Sequence, residues 1–541
     1  MASTSGEDPK PSRGPVSAKP SADDPILRNA LRYTISPKEY ETLHKFIISR
    51  SKVLKKNAPT VAKVEKLLER PGRDDHNAAA VRASLRLFLA TGAGLKAWGA
   101  ISERLLGRDK IHGKKVPLWK GPNFRLSLSI STILLLHRIL FRFFTRLRAH
   151  LLAPEARPFR QRNKRTTRTL TSTLAPAVGA SLAGFMLAVY PSDQLRVTIS
   201  IYALSRAAEF AYNHAEDEGW IWGKEGSRWE RPWWWGSWLL FPLTCGQLMH
   251  AFVFDRDCFP EAYGRFISNN SPQYIHPRPE NYPTHLSWPS PYQVVDNIAE
   301  MARLNYPPFI SPILFPDSKT LSEKLTSISP ITSAAHPLIT SLTCATLHPS
   351  DPSCLRTYVT YWIRVFPKLT RFFTAFFVVL SLPRYKSFYR APITTLNELA
   401  SRILLYSSFA AGSIGTSWGA ICLIQQLLPR HLLATQRFFF GGMVGGLWGF
   451  LVRKQARNEF LYSLRASIDS LWKVGRKRGW WTGIRGGDVW LFVCSLMVIN
   501  VVYERDARAI GSSVIRKGVS SLRGEGFKDC VAEEKKAKEE K

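Results

Sequence analysis

The chain has 541 residues, with 75 Lys+Arg against 41 Asp+Glu and a formal net charge of +34. A hydrophobic fraction of 45% with 17 Trp excludes a disordered basic tail protein, and seven cysteines in this length exclude a disulfide-built scaffold. The positive surplus points to nucleic acid or an anionic membrane face, and the many Trp and Tyr suit a membrane interface.

Residues 1–33 lack an apolar h-region and are expected to be a disordered, cytosolic N-terminus rather than a signal peptide. Residues 34–75 read as a cytosolic helical segment. "SPKE", Ser36–Glu39, offers an N-cap Ser, a Pro in the first turn and a Glu at N3, so a helix is predicted from there to about Arg50, with Thr60–Arg70 as its partner.

Three charge-free runs are long enough to cross a bilayer: Thr169–Ser192, Pro232–Phe254 and Ile403–Pro429. Weaker candidates are Ala83–Ile101, Leu126–Phe144, Leu195–Tyr212, Tyr358–Pro383, Phe438–Val452 and Val489–Tyr503. Small residues recur every fourth position in several runs: Ala175, Gly179 and Ala183; Ala411, Gly415 and Gly419; Gly441, Gly445 and Gly449; Gly442 and Gly446. Such stripes let helix backbones approach where lipid supplies no hydrophobic drive. Gly184 joins this set through the block described next.

The runs also repeat. Arg82–Ile101 aligns with Arg402–Ile421 without gaps, with 8 identities in 20, including Trp98 on Trp418. "LAGF" at Leu182–Phe185 matches "LWGF" at Leu447–Phe450. "VFDRDC" at Val253–Cys258 matches "VYERDA" at Val502–Ala507, which pairs Asp255, Arg256 and Asp257 with Glu504, Arg505 and Asp506, and Cys245 with Cys494. The same order of blocks implies a duplication: membrane repeat 1 over residues 76–267 and repeat 2 within 344–515. The fold class expected is an all-α polytopic membrane protein of two homologous bundles, about four helices each. The first copy holds the basic insertion Arg157–Arg168, which reads as a positively charged flank of a span. No RNP-like, zipper or finger pattern accompanies it, so nucleic acid is not an expected partner.

Residues 268–343 are rich in Pro and Ser and predict a long connector without regular elements. At its end His336, Cys344, His348 and Cys354 bring four metal-ligand types together. Zinc ligation, a Cys344–Cys354 disulfide and purely structural roles are all open, because the spacing H-x7-C-x3-H-x5-C is not a standard finger. Residues 516–541 read as a charged, solvated tail. The P-loop, dinucleotide-binding, nucleophile-elbow and zincin motifs are missing. His250 and Asp255 have the H-x4-D spacing of glycerolipid acyltransferases, which makes them an enzymatic alternative.

"CATLHPSDPSCLRTYVTYWIRVFPKLTRFFTAFF", Cys344–Phe377, resembles the cysteine-rich start of the transmembrane protein 135 family: a Cys, a His-Pro, a second Cys and an apolar helix. "FAAGSIGTSWGAICLIQQLL" and "GGDVWLFVCSLMVINVVYERD" are similar to the spans that follow, and Arg82–Phe266 resembles the other half of the family. Here the cysteine-rich block sits in mid-chain. The resemblance implies a non-enzymatic, multi-pass peroxisomal membrane protein acting in lipid metabolism or organelle dynamics, with transport as one form of that role. It carries over no catalytic residue and no cofactor, and it leaves Cys344, His348 and Cys354 as a signature of unassigned role. The bilayer, the peroxisomal membrane-protein import machinery and a second copy of the chain are the expected partners. The spans are more distantly similar to the mitochondrial inner-membrane preprotein translocase channel family, which makes a mitochondrial location the alternative.

Overall fold

Long apolar runs dictate helices, and among the described residues the β pairing amounts to one isolated bridge, Pro308 with Ser341. The computed structural model describes residues 31–51, 55, 58–68, 75–106, 117–223, 229–316 and 321–539. The expected disordered N-terminus lies almost wholly outside them. The helices used below are α1 (Pro37–Phe46), α2 (Val61–Leu68), α3 (His76–Leu106), α4 (Pro122–Leu152), α5 (Lys164–Leu170), α6 (Ala175–Ser181), α7 (Gln194–Asp217), α8 (Leu240–Phe254), α9 (Glu261–Asn269), α10 (Pro291–Arg303), α11 (Leu342–Leu347), α12 (Cys354–Ser381), α13 (Pro392–Leu427), α14 (Arg437–Gly446), α15 (Arg457–Lys477), α16 (Gly487–Arg505) and α17 (Ser513–Arg523).

Among the described residues, five helical stretches are long and apolar enough to cross a membrane: His76–Arg104, Pro122–Leu152, Ser237–Phe254, Pro392–Leu427 and Gly487–Arg505. The run Thr169–Ser192 is not a straight span. It breaks between α5 and α6 with a bend of 82°. Pro176 lies in the first turn of α6, where it cannot continue a preceding helix, and the Ser172 hydroxyl accepts from the Leu174 N–H in the gap. Tyr358–Pro383 and Leu195–Tyr212 do form helices, α12 and α7, but both carry charge; Arg364, Lys368 and Arg371 lie along α12.

The chain divides into two units. Unit 1 comprises residues 1–200, 207–214 and 488–541, and unit 2 comprises residues 201–206 and 215–487. In unit 1, α1 begins at the expected capping box, with the Ser36 N–H donating to Glu39 (3.0 Å), and ends at Phe46 rather than Arg50. Helix α4 packs on α3 and on α6 with the 3-10 turns, Leu182–Val189, that extend it. Ile133, Leu187 and Val489 are buried together with Phe185 and Phe492 against them. Gly179 accepts the Phe144 ring, and a Cβ on Gly184 would lie 3.1 Å from Val493. The first part of the expected charged tail is ordered here: α17 buries Val519, Ser520 and Arg523, held by the Arg523–Glu504 pair and by Arg138 donating to the Ser521 carbonyl (2.9 Å).

In unit 2, α14 runs between α13 and α8, and its glycines face both. A Cβ on Gly441 would come 3.0 Å from the Ser417 carbonyl, and one on Gly445 2.6 Å from that of Ser413, both on α13. Gly442 and Gly446 face α8, at 2.5 Å from the Cys245 carbonyl and 2.5 Å from Pro242 Cα, while Gly449 lies 3.1 Å from Phe241. Gly415 and Gly419 on α13 take the rings of Tyr361 and Tyr358 from α12. The α14 stripe therefore acts as a backbone contact surface, while Gly179, Gly415 and Gly419 make room for aromatic rings.

The connector departs from the reading without regular elements. Ser290 caps α10 reciprocally with Gln293, and Val294, Val295, Ile298, Ala299, Met301 and Ala302 are buried on it at helical spacing. Flanking prolines hid that period. Tyr274 lies against Trp418, whose indole N–H donates to Ser271 (3.0 Å), so the connector is part of the unit 2 core.

The two copies of the first repeat block differ in their surroundings. Arg82–Ile101 lies in α3 and Arg402–Ile421 in α13. Trp98 is 70% exposed whereas Trp418 is fully buried, and Arg82 pairs with Asp75 while Arg402 lies over the Phe377 ring.

Candidate metal centre

The connector ends in α11, whose Leu342, Ala345 and Leu347 are buried and fix it to the core. His348 closes the helix with non-helical backbone (φ −151°, ψ 67°), and Pro349 prevents continuation. The following turn is held by Asp351: one carboxylate oxygen accepts the Ser353 N–H (2.8 Å), and both pair with Arg356 (2.6 and 2.8 Å). Ser353 then caps α12, which places Cys354 at its first position, where helix N–H groups favour a thiolate. Thus "HPSDPSC" is a short clasp between two helices.

Cys344, His348 and Cys354 come together in this clasp, as their spacing suggested. The fourth group is Cys422 of α13, not His336. The four ligand atoms lie within 4.8 Å of one another, with His348 and Cys422 buried. Cys344 and Cys354 sulfurs are 3.9 Å apart, and His348 Nε2 is 3.4 Å from the Cys354 sulfur and 3.7 Å from that of Cys422. His336 is excluded because the connector turns it away: its Nδ1 accepts the Leu338 N–H, and its own N–H donates to the Pro349 carbonyl. Cys422 sits 74 residues after His348 inside an apolar span, where a cysteine in sequence reads as a small hydrophobe.

Two contacts orient the cluster from outside. His348 Nδ1 is 2.7 Å from the Asp351 carbonyl and donates to it, which turns Nε2 toward the sulfurs. The Gln426 amide donates toward the Cys354 sulfur (3.8 Å). Burial opposes protonation of His348, but the adjoining Cys344 and Cys354 sulfurs outweigh it and raise its pKa to about 10. Hydrogen bonding from Cys344, Cys422 and His348 pulls the Cys354 thiol far below its usual range. Close approach of α12 to α13 over Gly415 and Gly419 is what brings Cys354 to Cys422.

The other expected residues fall elsewhere. Asp255 is buried at the end of α8 and is bound by Arg478 (2.5 Å) and Lys477 (3.6 Å). His250 tilts against the Phe254 ring and lines the same pocket as Asp255, whose carboxylate is engaged by Arg478. Arg256 pairs with Asp296, and Asp257 with Lys477. In unit 1, Glu504 pairs with Arg523 (2.5 Å), Asp506 caps the next turn through the Arg508 N–H, and Arg505 is exposed. Cys245 backs onto Gly442, while Cys494 is exposed. Searches of known proteins match no family model, no curated protein and no solved structure.

Proposed function

We propose that the chain is an integral, non-enzymatic membrane protein of the transmembrane protein 135 type, resident in the peroxisomal membrane and acting in lipid metabolism or organelle dynamics. The observation that carries this reading is the Cys344/His348-Pro349/Cys354 start, which folds as one clasp directly ahead of amphipathic α12 and span α13. Five helices of spanning length among the described residues support the membrane part. The committed Asp255–Arg478 pair speaks against acyl transfer through His250.

We also read the chain as a duplication. In each unit a long helix is followed by a short apolar helix that tightens into 3-10 turns carrying Leu-x-Gly-Phe, at Leu182–Val189 and Leu447–Val452. An amphipathic helix comes next, α7 or α15. A span ending in the Val-aromatic-acidic-Arg-Asp pattern completes each unit: α16 in unit 1 and α8 in unit 2. Imaging of a tagged chain against peroxisomal and mitochondrial markers, with alkaline carbonate extraction, tests the proposal. Peroxisomal, carbonate-resistant signal is the expected result. Mitochondrial signal with loss of preprotein import on depletion would replace the proposal with a translocase-like channel.

A further inference from the structure

We infer that Cys344, His348, Cys354 and Cys422 bind one structural Zn²⁺ ion that clamps the connector and the start of α12 to α13. The inference stands on the cluster geometry and is independent of the organelle.

Three readings of the cluster differ in what they require. A disulfide needs sulfurs at about 2.05 Å. Cys344 and Cys354 stand 3.9 Å apart, and their pairing would leave Cys422 and His348 facing each other without purpose. Simple packing accounts for a buried cysteine, but it does not require an imidazole nitrogen turned toward a group of sulfurs. That aim is fixed here by the Asp351 carbonyl, which takes the Nδ1 proton. A tetrahedral ion with Zn–S near 2.3 Å and Zn–N near 2.0–2.1 Å sets S···S edges of about 3.8 Å and S···N edges of about 3.5 Å. The Cys344–Cys354 sulfurs are 3.9 Å apart, His348 Nε2 is 3.4 and 3.7 Å from the Cys354 and Cys422 sulfurs, and every ligand pair lies within 4.8 Å. Three sulfurs and one imidazole also make a donor set that selects zinc over oxygen-seeking Ca²⁺ or Mg²⁺. A two-iron cluster would spread the same four ligands over two metal ions, whereas here all ligand atoms lie within 4.8 Å of one another.

The ligands also explain the local fold. Three come from an eleven-residue clasp, Cys344 to Cys354, and the fourth from a span 74 residues beyond His348. A closed, four-ligand site without an open position is the structural type, and it links two segments that otherwise meet through side-chain contacts alone. Binding displaces the cluster's remaining thiol protons and the Nε2 proton of His348 to solvent and needs no oxidant. The Gln426 amide and the first N–H groups of α12 offset the net negative charge of three thiolates around Zn²⁺.

The test uses the full chain purified in detergent, with elemental analysis by inductively coupled plasma mass spectrometry. Wild type is expected to hold about one zinc per chain. Cys422→Ser and Cys354→Ser should lose it, His336→Ala should keep it, and His348→Cys should keep it as a four-thiolate site. Exchange of the wild type with Co²⁺ alone should give the intense visible bands of a tetrahedral thiolate centre, which keeps the inference testable should the serine variants fail to fold. Wild type without zinc, and with all three thiols open to alkylation under non-denaturing conditions, would overturn it. So would iron with a visible chromophore, or zinc retained in Cys422→Ser.

Discussion

Gly446→Ala isolates the backbone contact between α14 and α8. A Cβ there would sit 2.5 Å from Pro242 Cα, 2.9 Å from Pro242 N and 3.1 Å from the Phe241 carbonyl, all main-chain atoms that no rotamer change can move. Overpacking of this kind costs about 1–3 kcal/mol, and the all-backbone neighbourhood argues for the upper end, about 3 kcal/mol. Replacing a helical glycine by alanine returns about 0.5–1 kcal/mol through backbone entropy, which leaves a net loss of about 2 kcal/mol. For a unit of this size that lowers the melting temperature by roughly 4–8 °C. Gly99→Ala is the control: it lies within helix α3 and meets nothing within 4 Å, so it should melt at or slightly above wild type. The assay is a thermal series in detergent read by size-exclusion of a fluorescent fusion. If Gly446→Ala melts with Gly99→Ala, then α8 and α14 are not in backbone contact and the role given to the small-residue stripe is wrong.

Arg437 is fully buried and donates to the carbonyls of Leu428, Pro429, Arg430 and Leu432 at the end of α13, under the Tyr306 ring at 4.8 Å. Arg437→Met should destabilise by about 2–4 kcal/mol, and Arg437→Lys should not restore the loss because an ammonium cannot span that fork of acceptors; denaturation in detergent measures both. Asn500 donates to Ser181 (2.9 Å) and to His137 Nε2 (3.1 Å), so Asn500→Leu should cost about 2 kcal/mol, and a double-mutant cycle with Ser181→Ala should show coupling above about 0.5 kcal/mol. The Arg516 guanidinium holds Asp529 below its usual pKa, against the opposing effect of burial. A depressed carboxylate contributes stability above its unfolded pKa and loses it as pH falls toward the folded one. Residues 513–530 should therefore stay protected from proteolysis above about pH 5 and loosen below about pH 4, while Asp529→Asn should be loose throughout.

Local signals were the legible part of the sequence. The capping box at Ser36, the long apolar runs and the glycine spacings all specify structure through neighbours within one or two turns, and these were readable. The break before Pro176 was also written locally, but the charge-free run around it masked the proline. Trp98 and Trp418 align in sequence but differ in burial, because identity of residues says nothing about which face is covered, and only tertiary packing buries one indole and exposes the other. The metal centre was legible to three of its four ligands. The clasp declares itself by spacing, whereas Cys422 is placed by the helix contact over Gly415 and Gly419, which no local pattern encodes.

The division into units explains why polar groups are retained inside these apolar helices. Unit 2 is one continuous stretch apart from residues 201–206, and its closing helix α8 comes first in that stretch. Unit 1 instead needs α16, which is made long after α3 to α7. Its ties are specific: Arg196 pairs with Asp488 across 292 positions, and Asn500 meets His137 across 363. Small-residue surfaces are smooth and could accept another apolar span in several registers, so packing alone selects weakly. A buried Asn that must satisfy His137 and Ser181 together, and an Arg196–Asp488 pair that fixes the start of the same helix, each penalise a wrong partner by leaving polar groups unpaired. Loop-closure entropy makes these late contacts slow to form, so unit 2 can complete while unit 1 still awaits its last span. The ion pairs and the Asn500 network thus serve the choice of partner helix, and the zinc clasp serves the same end in unit 2 by joining the connector to α13.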